Sequence, residues 1–268
     1  MRVFLLPPAG ASAGVFKDWI EPLSALGVQP VAVELPGRGT RLGEPLVDSV
    51  PALVDRLVAE HTPAQGERWA VVGHSMGALL GAAWAARAHA LGRAAQLLLV
   101  SASAPPWLHS TAAELVGTDD ELWQRVADLG GLPPALRAHP AARLLFGRVL
   151  RADVTAAARY RPAGPEPVGC PVLAVRGADD PLVTAGLLSG WAGLTDRAFE
   201  ELTLPGGHFY RDGLADLLPV LAARLTAIGP AVSNLSAPDS LLTDGPSVGR
   251  SPRGDDGAPT KFTERVAR

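Results

Sequence analysis

The sequence predicts an α/β protein with a mostly parallel, doubly wound sheet and a helical insertion. Short apolar runs rich in β-formers alternate with longer segments of helical spacing, the rhythm of strand–helix–strand units. Most of those runs are apolar almost throughout, as in strands buried on both faces of a parallel sheet. The rhythm breaks between Val100 and Val172, where no convincing strand occurs.

In chain order, strands are expected at residues 3–6, 31–35, 69–72, 97–100, 172–176 and 199–204. Helices are expected at 16–26, 49–61, 76–91 and 213–228. The opening Met1-Arg2-Val3-Phe4-Leu5-Leu6 resembles the start of a signal peptide, but its apolar run stops at Pro7-Pro8. That is shorter than the ~7–15 residues of a signal core, so the segment reads as the first strand. The break holds two segments of helical spacing, 112–129 and 136–150, separated by Gly130-Gly131-Leu132-Pro133-Pro134. We read residues 107–165 as a helical insertion over the carboxyl edge of the sheet, where open α/β sheets bind ligands, and so as a candidate lid. The resulting domain covers residues 1–228. Residues 229–268 are rich in Ser, Pro, Gly and Asp without apolar periodicity, and are expected to be a disordered tail.

Composition bounds the function. The 268 residues, 47% hydrophobic, suit one domain with an insertion better than two domains. A formal net charge of −3 gives no basic field to hold nucleic acid. No stretch reaches the ~18 uninterrupted apolar residues of a membrane span, so a cytoplasmic protein is expected, and a monomer. The single cysteine, Cys170, allows neither an intramolecular disulfide nor a cysteine-based metal cluster, and reads as a small buried side chain. No metal or cofactor is expected.

The strongest chemical signal is Gly73-His74-Ser75-Met76-Gly77, which fits the G-x-S-x-G nucleophile elbow. It follows an apolar strand and precedes an Ala-rich helix, the context the motif requires. A tight strand-to-helix turn strains the serine backbone, and side chains at either glycine would clash. The helix N-terminus adds a positive dipole end near developing negative charge. His74 is expected to be structural.

A serine hydroxyl needs a base. Among the histidines, His208 lies in Leu204-Pro205-Gly206-Gly207-His208, directly after the last expected strand and at the same sheet edge as Ser75. His61, His89, His109 and His139 have no strand leading into them and read as surface or lid. The acid should lie at another strand end. Gly177-Ala178-Asp179-Asp180-Pro181-Leu182-Val183 resembles the Gly-x-x-Asp-x-x-Val loop of α/β-hydrolases, which selects Asp180; Asp179 is expected to cap the turn. The loop after 97–100, Ser101-Ala102-Ser103-Ala104, offers no carboxylate. An oxyanion hole would draw one backbone N–H from Met76. A second is expected from Ala9, since Pro7 and Pro8 have none.

Several segments together resemble the type II thioesterases, the stand-alone editing enzymes of polyketide and nonribosomal peptide assembly lines. They are Leu6-Pro7-Pro8-Ala9-Gly10, Leu35-Pro36-Gly37-Arg38, Gly73–Gly77 with Ala78, Ser101–Pro106, Leu129-Gly130-Gly131-Leu132-Pro133, Leu150-Arg151-Ala152-Asp153, Gly177–Val183 and Gly206-Gly207-His208. The chain departs from the family at Pro8, where an aromatic residue is usual, and at Ala11, where a second glycine is usual. The resemblance implies an α/β-hydrolase fold and hydrolysis of acyl groups from the phosphopantetheine arm of an acyl or peptidyl carrier protein. Such carriers tend to be acidic, and Arg137, Arg143, Arg148, Arg151, Arg159 and Arg161 of the insertion offer a surface to meet them. The alternatives with the same triad are a general carboxylesterase or lipase and an acyltransferase. A non-catalytic binding protein of this fold would be expected to have lost a triad member.

Overall fold

The computed structural model describes residues 1–108, 117–132, 134–137 and 139–229. The chain divides into units Met1–Ala231 and Val232–Arg268, and the structure below is that of the first. Residues 230–268, where most of the expected tail falls, lie outside the described residues, as does His109.

Six strands form one sheet in the order β2-β1-β3-β4-β5-β6. They are β1 (Arg2–Leu6), β2 (Gln29–Ala32), β3 (Trp69–His74), β4 (Leu97–Ser101), β5 (Val172–Gly177) and β6 (Phe199–Leu204). Every pairing is parallel. Alternation along the strands splits the core in two. Phe4, Leu6, Val71, Leu98, Val100 and Ala174 join one buried cluster, and Val3, Leu5, Ala70, Val72, Leu99 and Leu173 join the other. Helices α2 (Val50–His61) and α3 (Met76–Ala90) cover the first face through Leu53, Leu57 and Leu80. Helices α1 (Ile20–Ala25) and α8 (Leu217–Ile228) cover the second through Leu23, Leu217, Leu221 and Leu225. α3 is buried on almost every side, so its small and apolar residues do not gather on one stripe.

The expected elements recur with instructive shifts. The second strand is Gln29–Ala32 rather than 31–35, and it lies at the sheet edge. Edge position tolerates the exposed Gln29 and the missing N–H of Pro30. Val33 and Leu35 are buried beyond its end. The expected helix 16–26 is a 3₁₀ segment, Ala13–Trp19, followed by α1; the expected helix 213–228 is a 3₁₀ segment, Gly213–Asp216, followed by α8. The cause is shared. Pro22 and Pro219 each stand third in the α-helix, where a proline's lost N–H and ring bulk forbid a continuous α-helix through the preceding turn.

Between β4 and β5 the chain forms α4 (Asp119–Asp128), α5 (Pro134–Arg137), α6 (Pro140–Arg159) and no strand among the described residues. α4 starts with a reciprocal capping box between Thr118 and Glu121. α6 begins and ends later than the expected 136–150. Its buried positions Val149, Leu150, Asp153 and Ala156 follow helical spacing, but the carboxylate of Asp153 interrupts the apolar pattern. A short α7 (Ala185–Leu188) follows β5. Among the described residues no helix is long and apolar enough to cross a membrane.

Candidate active site

The sheet order reverses between β1 and β3, so loops leaving their carboxyl ends diverge and open a crevice. Their register pairs Leu6 with Gly73, which brings the loop after β1 beside the turn after β3. At the turn Ser75 has φ 56° and ψ −118°. A non-glycine residue held there costs about 1–3 kcal/mol, which the surroundings must impose. They do so through backbone proximity. A Cβ at Gly73 would lie 2.0 Å from the Gly77 carbonyl oxygen, and one at Gly77 would lie 2.2 Å from that of Leu6. The Ser75 N–H donates to the Ser101 carbonyl at 2.8 Å. The half-buried Ser75 side chain is thereby lifted above the sheet end, at the start of α3.

β5 and β6 end in register, Gly177 beside Leu204, so the loops carrying Asp180 and His208 also start side by side. They approach so closely that a Cβ at Gly177 would meet the Gly207 carbonyl oxygen at 2.0 Å. The structure brings the three expected side chains together. His208 Nε2 lies 3.1 Å from Ser75 Oγ, and His208 Nδ1 lies 2.9 Å from Asp180 Oδ2. Asp180 Oδ1 accepts from the Leu182 N–H at 2.9 Å. The turn is therefore capped by Asp180 itself, not by Asp179 as expected: Asp179 is exposed and its backbone N–H donates to the Gly206 carbonyl. Because an ionised carboxylate can only accept, Nδ1 carries the proton and Nε2 offers its lone pair to the serine hydroxyl.

The two expected oxyanion donors flank the same crevice, since Ala9, Met76, Ser75 and His208 line one cavity of about 220 Å³. Gly10, with φ 78°, closes a tight turn in which the Ala11 N–H donates to the Pro8 carbonyl at 3.1 Å. The Gly10 N–H is taken by Asp153 Oδ2 at 2.7 Å. The Ala9 and Met76 amides donate to no other described residue. Ala11 has no positive φ, so the position does not require the family's usual glycine.

His74 is buried against the ring of His208, with ring centroids 5.4 Å apart. Its Nδ1 lies 2.7 Å from Ser101 Oγ, which in turn lies 2.5 Å from the Tyr210 hydroxyl. Its Nε2 is buried without a partner among the described residues. Burial, and secondarily the neighbouring His208, hold His74 well below the ordinary histidine value, so it is neutral in the fold. Cys170 is buried as expected, and burial pushes its thiol up to about 12. Ser101 stood in a marker stretch without a role and Tyr210 had no sequence signal of its own; they support the turn that carries His208, in which the Tyr210 N–H donates to the Gly207 carbonyl. Arg38 and Asp153 stood in the marker stretches without a role, and prove to form a buried ion pair beside the loop 8–11. Of the insertion arginines, Arg143, Arg151 and Arg159 are already paired with Asp120, Asp119 and Asp48.

Residues 1–226 match the family described as the thioesterase domain. The chain belongs to the thioesterase domain family. A region of the AMB antimetabolite synthetase AmbE of Pseudomonas aeruginosa is 36% identical over 211 residues, 78% of this chain. The thioesterase spans 10% of that much longer protein. Among solved structures, RedJ, a thioesterase of the prodiginine pathway in Streptomyces coelicolor, is 34% identical with a TM-score of 0.74, over 85% of this chain and 90% of RedJ. BorB, a type II thioesterase from the borrelidin biosynthetic cluster, is 29% identical with a TM-score of 0.72, over 85% of this chain and 91% of BorB. The α/β-hydrolase fold and the type II resemblance expected from the motifs agree with these relatives. This thioesterase is therefore a hydrolase acting on thioesters.

Proposed function

We propose that this thioesterase is a type II enzyme that frees acyl groups from the phosphopantetheine arm of acyl or peptidyl carrier proteins, with Ser75, His208 and Asp180 as its triad. The observation that carries the reading is His208 bridging Ser75 Oγ at 3.1 Å and Asp180 at 2.9 Å within one crevice. Ser75 Oγ attacks the thioester carbonyl while Nε2 takes its proton. Asp180 holds the imidazolium, and the Met76 and Ala9 N–H groups receive the oxyanion. The tetrahedral intermediate collapses, the C–S bond breaks, and His208 returns the proton to the leaving thiolate. Water then attacks the acyl-serine, its proton passing through Nε2 to Ser75 Oγ, and the free acid departs.

The cavity walls suit an acyl group: Leu79, Leu122, Leu129, Val154, Ala157 and Val183 are apolar. A neighbouring cavity of about 620 Å³ shares Pro8, Ala9, Val126 and Phe209 with it and offers room for the arm. Helices α4 and α6 contribute to both linings, which supports the reading of the insertion as a lid. The test is a panel of acyl-loaded carrier proteins, free acyl thioesters and matched oxygen esters. The reading predicts highest kcat/KM on the carrier thioesters. Preference for the oxygen esters would point to a carboxylesterase or lipase, and acyl transfer to added alcohols or amines to an acyltransferase.

A further inference from the structure

We infer that Arg38 and Asp153 are positioning residues for the oxyanion hole, a clamp that orients the loop 8–11 from the insertion helix. The inference rests on the reading of Ser75 as nucleophile and Ala9 as oxyanion donor. Asp153 lies on the inward side of α6 with its carboxylate fully buried, and Arg38, from the loop after β2, is 3% exposed. Arg38 Nη2 donates to Asp153 Oδ1 at 2.7 Å while Nη1 donates to Oδ2, a two-pronged fork. The same two side chains seize the loop. Asp153 Oδ2 accepts the Gly10 N–H at 2.7 Å, and Arg38 Nη1 donates to the Ala11 carbonyl at 3.2 Å.

The consequence is geometric. With the Gly10 N–H diverted to Asp153 and the Ala11 N–H bound to Pro8, the N–H left for the crevice is that of Ala9. α6 also packs on the turn directly: a Cβ at Gly10 would lie 3.1 Å from Leu150 Cδ1. Stability alone explains such a pair poorly. Desolvating two charges is expensive, and apolar residues of similar volume fill such sites as well or better. Here Arg38 Nε is even left without a partner among the described residues. What the pair uniquely supplies is fixed direction, since planar two-pronged contacts restrain both partners and the amide they hold. The insertion is then part of the catalytic apparatus as well as a cover for it.

The test uses the full chain with Arg38→Met/Asp153→Leu, which replaces the pair by apolar groups, and with Arg38→Lys, which keeps the charge but not the fork. Each is assayed for thioester hydrolysis, for affinity to a trifluoromethyl ketone that forms a tetrahedral adduct on Ser75, and for affinity to a matched thioether lacking the carbonyl. The expected result is a fall in kcat of about 10²–10³-fold for the double variant, the range for losing an oxyanion donor, and a smaller fall for the lysine variant. Ketone affinity should fall in step, while KM and thioether affinity stay within about threefold. Unchanged kcat in either folded variant, or equal losses of ketone and thioether affinity, would overturn the clamp. If the double variant does not fold, the lysine variant decides by the same split. If the wild-type protein forms no ketone adduct at Ser75, the underlying triad reading fails instead.

Discussion

At the scale of single residues, the proposed mechanism concentrates on Ser75, whose backbone is held at positive φ where the flanking Gly73 and Gly77 bring neighbouring backbone close. Its replacement by alanine leaves the turn glycines untouched. We expect Ser75→Ala to lower kcat by at least about 10⁴-fold, with an unchanged thermal midpoint; near-native hydrolysis by that variant would remove Ser75 from the mechanism. His74 gives a second prediction, on stability. Its folded-state value is depressed, so below the unfolded histidine value of 6.5 the unfolded chain binds a proton that the folded chain refuses. Stability contributed by neutral His74 is therefore present above that pH and lost as the pH falls below it, as between about pH 6.5 and about pH 5.5. Urea unfolding at the two pH values should show a shallower loss for His74→Asn than for the wild type; identical losses would refute the assignment. The convergence of Ser75, Asp180 and His208 could be read from the sequence because each follows an expected strand in the chain order of hydrolase triads, with the resemblance of 177–183 to the hydrolase acid loop selecting Asp180 over Asp179. Tyr210 and Ser101 could not, because a hydroxyl pair in contact only through folding leaves no local pattern.

At the scale of elements, close backbone approach decides which glycines matter. Gly77→Ala would drive a Cβ to 2.2 Å from the Leu6 carbonyl oxygen, at the root of the loop 8–11. It should cost about 1–3 kcal/mol or more and depress kcat together with stability. Gly147, in α6 with open space around it, offers the contrast. Gly147→Ala should stabilise by about 0.4–1 kcal/mol, read as a raised midpoint at unchanged activity. The same physics explains what pattern reading missed. Apolar periodicity finds where a face is buried, but not where Pro22 and Pro219 turn a helix start into a 3₁₀ segment, nor that an edge strand tolerates Gln29 and Pro30. In α6 a buried carboxylate sat where the pattern looked for an apolar residue, and the helix was read short.

At the scale of the whole molecule, the reversal of strand order beside β1 sets the loop 8–11 and the turn at Ser75 at one crevice, and the insertion reaches over both. The buried pair that links α6 to this loop predicts strong thermodynamic coupling across the molecule. Arg38→Met alone leaves the Asp153 carboxylate buried without its fork and should cost about 3–5 kcal/mol by urea unfolding, whereas Arg38→Met/Asp153→Leu should recover most of that loss. Additive losses would show that the pair is not a unit. Fold class and the four inner strands β1, β3, β4 and β5 were legible because burial on both sheet faces leaves continuous apolar runs. The clamp was not, because its members are 115 residues apart and meet only once α6 lies on the sheet edge. The most direct measurement is mass spectrometry of the protein quenched while turning over an acyl-carrier thioester. One acyl group should appear on the peptide that contains Ser75 and be absent from the alanine variant; turnover with that peptide unmodified and the acyl group on another residue would contradict the account.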